Sequence, residues 1–189
     1  MAIVINGSGT VTGISVGGLP DGIVDSGTLA TNSVDSAELI DGAIDTAHLA
    51  SGVGGKVLQV VSATSTSASS TTSTTFVTSN LTADITPADA TNKVLVLITS
   101  DGRVSTTGEM FYTLYEDGVN IGHSTKGMGK IGSGSGRIDV PLSLIHLASP
   151  ASASAVTYTL YYLASSGITA ECPPNADMIQ NITLMEIAV

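Results

Sequence analysis

Val24-Asp25-Ser26-Gly27-Thr28-Leu29, Val34-Asp35-Ser36-Ala37-Glu38-Leu39 and Ile44-Asp45-Thr46-Ala47-His48-Leu49 are three passes of one ten-residue pattern, each followed by four mostly small or polar residues. Apolar side chains fall at every fifth position (Val24, Leu29, Val34, Leu39, Ile44, Leu49). That spacing fits neither the seam of a coiled coil, roughly 3.5 residues, nor the alternation of a half-buried strand. In each pass the Asp precedes a Ser/Thr-Gly/Ala-x-Leu stretch, where its carboxylate is placed to accept a backbone N–H and cap a single helical turn. One isolated turn is unstable, because closing it fixes several dihedrals for one hydrogen bond. A single chain with so few apolar groups offers nothing to pack it against. The missing surface must come from other copies, so residues 20–55 read as an intertwined shaft and linker. In it the six apolar positions form a thin shared core and the aspartates face outward. A three-fold axis suits such a core, although the repeat itself demands only an oligomer. The competing reading is a disordered acidic tether, against which the regular apolar spacing argues.

The 189-residue chain carries a formal charge of −10, unevenly spread. Asp21, Asp25, Asp35, Glu38, Asp41 and Asp45 precede Gly55 with no Lys or Arg among them. Such a field repels phosphate backbones and anionic membranes, which excludes nucleic-acid and lipid binding by this segment, and it keeps a fibre soluble. Aromatic residues make up 4% and charged residues 12%, with no Trp, while Ser, Thr, Gly and Val abound; this is a composition for strands. Cys172 is the only cysteine, so neither an intrachain disulfide nor a paired-cysteine metal site is expected. The start, Met1-Ala2-Ile3-Val4-Ile5-Asn6-Gly7, lacks a basic region followed by a long apolar run, and no stretch is apolar enough to span a bilayer. Assembly in a cytoplasm without a cleaved signal, and no membrane insertion, are the expectations.

Residues 2–16 alternate around Asn6-Gly7-Ser8-Gly9, a hairpin signal that makes residues 1–19 a small N-terminal unit. Gly54-Gly55 marks the boundary to a C-terminal domain over 56–189. There, apolar or alternating runs occupy 56–65, 74–82, 93–100, 110–116, 119–123, 137–147, 156–163 and 178–188. Eight strands imply an all-β, jelly-roll-like sandwich. Lys93-Val94-Leu95-Val96-Leu97-Ile98 is apolar on both faces and belongs at a sheet centre. Val156-Thr157-Tyr158-Thr159-Leu160 alternates and belongs half in solvent. Glu116-Asp117-Gly118-Val119 predicts a tight hairpin. With strands running up and down, the connections 66–73, 101–109, 124–136 and 164–177 share the end farthest from the shaft, where binding surfaces are usually built.

Gly7-Ser8-Gly9-Thr10-Val11-Thr12-Gly13-Ile14, Gly18-Leu19-Pro20-Asp21-Gly22, repeats such as Asp41-Gly42-Ala43-Ile44-Asp45-Thr46-Ala47-His48-Leu49-Ala50, the stretch Lys56-Val57-Leu58-Gln59-Val60-Val61, then Ile85-Thr86-Pro87 and the ending Ile182-Thr183-Leu184-Met185-Glu186-Ile187 follow one another along essentially the whole chain. Taken in that order they resemble the tail-fibre and virion structural proteins of tailed bacteriophages, cyanophages among them. The resemblance implies a homotrimeric virion fibre, attached to other particle proteins through residues 1–19, with its C-terminal β domain pointing outward. It supplies no catalytic residues, and it identifies no receptor.

Gly127-Met128-Gly129-Lys130-Ile131-Gly132 matches the dinucleotide fingerprint in letters only. Ser133-Gly134-Ser135-Gly136 follows, so no helix can start there, and a flexible distal loop is the expectation. The three histidines and one cysteine show no ligand spacing, His146 reads as a hydrogen-bonded strand residue, and only an axial gathering of His48 or Asp45 copies would offer an ion site. No metal, cofactor, catalytic triad or carboxylate pair is expected, and hence no enzyme. Arg103, Lys126, Lys130 and Arg137 are four of the six basic residues and lie in or beside two distal loops. That local reversal of sign points to anionic host-surface sugar or phosphate groups, unless Glu109 and Asp139 balance it. Host attachment by a tail fibre and decoration of the capsid by a head fibre are the two functional readings, ahead of a depolymerase.

The spaced apolar core predicts that Leu39→Asp abolishes trimers of the full chain, since burying a Leu contributes about 1.5–3 kcal/mol and the loss recurs in every copy. The molar mass by light scattering checks it.

Overall fold

The computed structural model describes Ile44 and residues 56–189, the latter within one compact unit, Gly52–Val189. Along that unit run β1 (Val57–Ser65), β2 (Ser70–Thr71), β3 (Val77–Ile85), β4 (Lys93–Val104), β5 (Gly108–Glu116), β6 (Val119–Asn120), β7 (Gly129–Ser133), β8 (Ile138–Ala148), β9 (Val156–Ala164), β10 (Ala170–Glu171) and β11 (Gln180–Ile187). The described region is all-β and contains no helix. Every pairing is antiparallel.

β4 is central, as its two-faced apolar sequence predicts. Its full length pairs with β8 on one edge, while the other edge pairs with β11 and then β10. β1 lies beyond β11, and β2 beyond β10. A second sheet runs β3-β9-β5, and the far edge of β5 is shared by β7 and β6. Alternate residues of both sheets turn into one core, which includes Val94, Val96 and Ile98 of β4, Leu142 and Leu144 of β8, Tyr158, Leu160 and Tyr162 of β9, and Ile182 and Leu184 of β11. Thr157 and Thr159 stand half-exposed between buried Val156, Tyr158 and Leu160, the half-in, half-out pattern predicted for that run. At the predicted hairpin, Glu116 faces Val119 and the two turn residues, Asp117 and Gly118, have φ of 47° and 80°. Positive φ at both positions matches the right-handed twist of the flanking strands.

Several boundaries depart from expectation. Within the run 119–123 the strand covers only Val119–Asn120, and the supposed flexible loop 124–136 contains a five-residue strand, β7. Glycine hid it. Ile131 is buried in the core, and its Cδ1 lies where a Cβ on Gly102 of β4 would fall. The ring of Tyr112 covers Gly129, leaving no space there for a side chain. The connection 101–109 shrinks to 105–107, because β4 continues to Val104. β3 starts and ends three residues later than the run 74–82. The N-terminal hairpin and the shaft repeats fall outside the described residues apart from Ile44, which is 46% exposed.

Glu186 is fully buried, and its carboxylate is fully used. Oε2 accepts from Gln59 Nε2 at 2.6 Å, and Oε1 accepts from Asn92 Nδ2 at 2.6 Å and from the Ala88 N–H at 2.7 Å. Gln59 also donates to the Thr86 carbonyl at 2.7 Å. The first strand, the last strand and the connection between β3 and β4 are thereby locked at one point. Burial alone would push the Glu186 carboxyl up, but the donors from Gln59, Asn92, Ala88 and Asp89 together outweigh it and hold the group below the ordinary value of 4.5. A depressed folded-state pKa contributes stability that is present above about pH 4.5 and is lost as pH falls through the folded value. Glu186→Gln puts an amide against these donors and is expected to cost about 1–3 kcal/mol at neutral pH. It should also flatten the acid-side loss of stability, as followed by denaturant unfolding from pH 7 to pH 3.

Candidate surface-binding site

The four cations singled out from sequence divide between two places. Arg103 sits on β4, not in a loop, with Asp139 of β8 opposite on one side and Glu171 of β10 opposite on the other. Its Nε donates to Asp139, and its Nη1 lies 2.7 Å from Glu171, with the side chain only 18% exposed. Arg137, just before β8, donates to the other Asp139 oxygen at 2.8 Å. The hydrogen bonds from Arg137 and then Arg103 hold the Asp139 carboxyl below its usual range, and Asp139 in turn raises Arg103. These two arginines are therefore spent on neighbouring carboxylates.

The two lysines flank a different surface. Lys130, on β7, pairs with Phe111 of β5, and its Nζ reaches Glu109 Oε1 at 2.5 Å. That bond keeps Glu109 ionised to lower pH than usual. Lys126 occupies the tight turn 123–127, closed by His123 N–H to Gly127 carbonyl at 3.2 Å and Gly127 N–H to His123 carbonyl at 2.8 Å. His123 Nδ1 accepts from the N–H groups of Thr125 and Lys126, each at 3.2 Å, which puts the ring proton on Nε2. This histidine shapes the turn. Lys126 Nζ then lies 4.2 Å from the centroid of the Phe111 ring, a cation–π contact. Among the described residues no carboxylate forms an ion pair with Lys126.

Two hollows of about 420 Å³ each open beside these groups. One is lined by residues 107–109, Lys130 and 132–134; the other by Glu109, Phe111 and 126–130. The Lys130–Glu109 pair walls both. The second sets two ammonium groups, a carboxylate and the Met128 side chain around a Phe111 that is only 5% exposed, a charged rim suited to a polar ligand such as a sugar. Glu109 was recognisable in the sequence as a counter-charge. Phe111 and Glu171 were not, because only strand register brings them to the lysines and to Arg103.

The grouping of connections at one end of the unit is visible elsewhere. The Ser69 N–H donates to the Pro173 carbonyl and the Cys172 N–H to the Ser69 carbonyl, the Ser105 N–H donates to the Thr169 carbonyl while the Thr169 N–H donates to Ser105 Oγ, and the Gly136 N–H reaches Thr107 Oγ1, so connections around 66–73, 105–107, 134–137 and 164–177 meet at the end opposite Lys56. His146 lies on β8 opposite Val96, half-buried. No group of His, Cys, Asp and Glu among the described residues is arranged to hold a metal, and no helix there is long and apolar enough to cross a membrane. Compared with known proteins, the chain matches no family model and no curated protein.

Gly127 has a φ of 61°, and a Cβ on it would strike the Tyr112 carbonyl. Gly127→Ala is expected to destabilise the domain by about 1–3 kcal/mol and to displace Lys126. Gly134→Ala, with open space around it, should stay within about 0.5 kcal/mol. Thermal unfolding of the two variants compares them.

Proposed function

We propose that this chain is a structural protein of a bacteriophage virion, a trimeric tail fibre whose C-terminal domain is a jelly roll that contacts the host surface through the Lys126–Lys130 hollow. The jelly-roll reading is supported by strand order. Setting aside the two-residue strands β2, β6 and β10, one sheet runs β1-β11-β4-β8 and the other β3-β9-β5-β7. Numbered by rank, these are 1-8-3-6 and 2-7-4-5, the order produced when a long antiparallel hairpin rolls up into two facing sheets. The trimer and the particle rest on the ten-residue repeats and on the sequence resemblance. No catalysis and no cofactor form part of the proposal.

Host contact rests on one observation: a lysine held over an aromatic ring beside an open hollow, with no carboxylate among the described residues paired to it. Anionic surface glycans match that chemistry. Particles carrying Lys126→Ser and Lys130→Ser together should adsorb to cells more slowly, with trimer and particle assembly unchanged. Adsorption by the unsubstituted protein should fall as salt rises, since the Debye length is about 8 Å at physiological ionic strength. Equal adsorption rates at low salt would refute the role of the hollow.

Attachment to the capsid as a head fibre or decoration protein is the second reading. It is favoured by the engagement of Arg103 and Arg137 with Asp139 and Glu171, which leaves less positive charge for a receptor than the sequence promised. Locating the fibre density on whole particles separates the two.

A further inference from the structure

The outward side of the β1-β11-β4-β8 sheet is apolar near the start of β1. One transverse row reads Val60, Met185, Leu95, Leu147 across all four strands, and in the next Leu97 and Ile145 stand side by side. Ile145 is 72% exposed, Val60 56% and Leu147 49%, although each occupies an outward strand position where a polar residue costs nothing. Contiguous exposure of this kind marks an interaction surface.

We propose that this face is the interface through which the C-terminal domains of neighbouring copies of this chain pack together. Three observations select a second copy as the occupant. Firstly, the upstream chain enters here: Val57 and Leu58, each 50% exposed, adjoin the patch at the start of β1. Fifty-five residues precede Lys56, and the five-residue apolar spacing from Val24 to Leu49 within them is what brings copies of this chain together in the fibre reading. Secondly, in a chain of charge −10 copies meet at the least electrostatic cost across a surface free of carboxylates. The Val60 row and the Leu97–Ile145 pair contain none; the acidic residues of this side of the sheet, Asp101, Asp139 and Glu171, lie toward its other end, beside Arg103. Thirdly, the register shift between Val57 and Gln59 bulges the free edge of β1. A bulge discourages edge-to-edge pairing and leaves the flat of the sheet as the surface for association.

The inference rests on the fibre reading, and its test separates the two. Ile145→Cys and Val119→Cys are made singly in the full chain, labelled with a maleimide dye, and the molar mass is measured by light scattering. Val119 is 65% exposed on the other sheet and serves as the open control, while native Cys172 is fully buried. In an oligomer, Cys at 145 is expected to react at least about tenfold more slowly than Cys at 119, which is the protection expected when a solvent-exposed thiol becomes covered. Equal rates in a particle that is still oligomeric would overturn this interface and leave the fibre reading standing. A monomeric mass would overturn both, and protection of position 145 in that monomer would identify the chain's own N-terminal segment as the cover.

Discussion

A single buried carboxylate imposes order on the described domain. Glu186 lies near the end of the last strand, and its partners come from the first strand and from the connection leading into the central one. An ionised group without water must find all its donors, so any arrangement that misplaces β1, β11 or residues 86–92 leaves a charge unsatisfied. Sliding β11 by one residue would turn Glu186 outward and Met185 or Ile187 inward, moving every side chain to the wrong face. At the other end of β11, buried Gln180 donates to the Ser79 carbonyl and accepts from Ser100. The strand is thus pinned at both ends by polar groups and along its middle by Ile182 and Leu184.

Such pins explain what was legible in sequence. Apolar runs disclosed the centres of the long strands, because continuous apolarity at Val94–Ile98 and alternation at Val156–Leu160 follow directly from which faces are buried. The Asp117-Gly118 turn was legible because its backbone conformation needs those residue types. β7 was not, since a strand with one core side chain, Ile131, among glycines looks like a loop by composition. The ion pairs were half legible: Glu109 and Asp139 stand out as nearby opposite charges, whereas Glu171 meets Arg103 only after β10 joins β4. Phe111 carried no signal, because its contact with Lys126 is made by a turn folding back over its own sheet.

The two sheets present unlike outer surfaces. Over β9, β5 and β7 the outward residues include threonines, stacked Tyr115 and Tyr161 at 3.8 Å, and the lysine-bordered hollows. Over β1, β11, β4 and β8 they include valine, leucine, isoleucine and methionine. One domain thus carries a side equipped for polar contact and another whose end near the start of β1 water disfavours, while both draw on the same core.

β7 separates structural duty from surface chemistry in a way that bears on variation. Its place in the fold is held by main-chain pairing to β5 and by Ile131, whereas Lys130, Gly132 and Gly134 face outward or meet only distant atoms. Changes at Lys130 alter the charge of both hollows, and changes at Gly132 and Gly134 the contour of one, without asking the core to repack. A lineage can vary the charge of this strand's outer side while inheriting its fold intact.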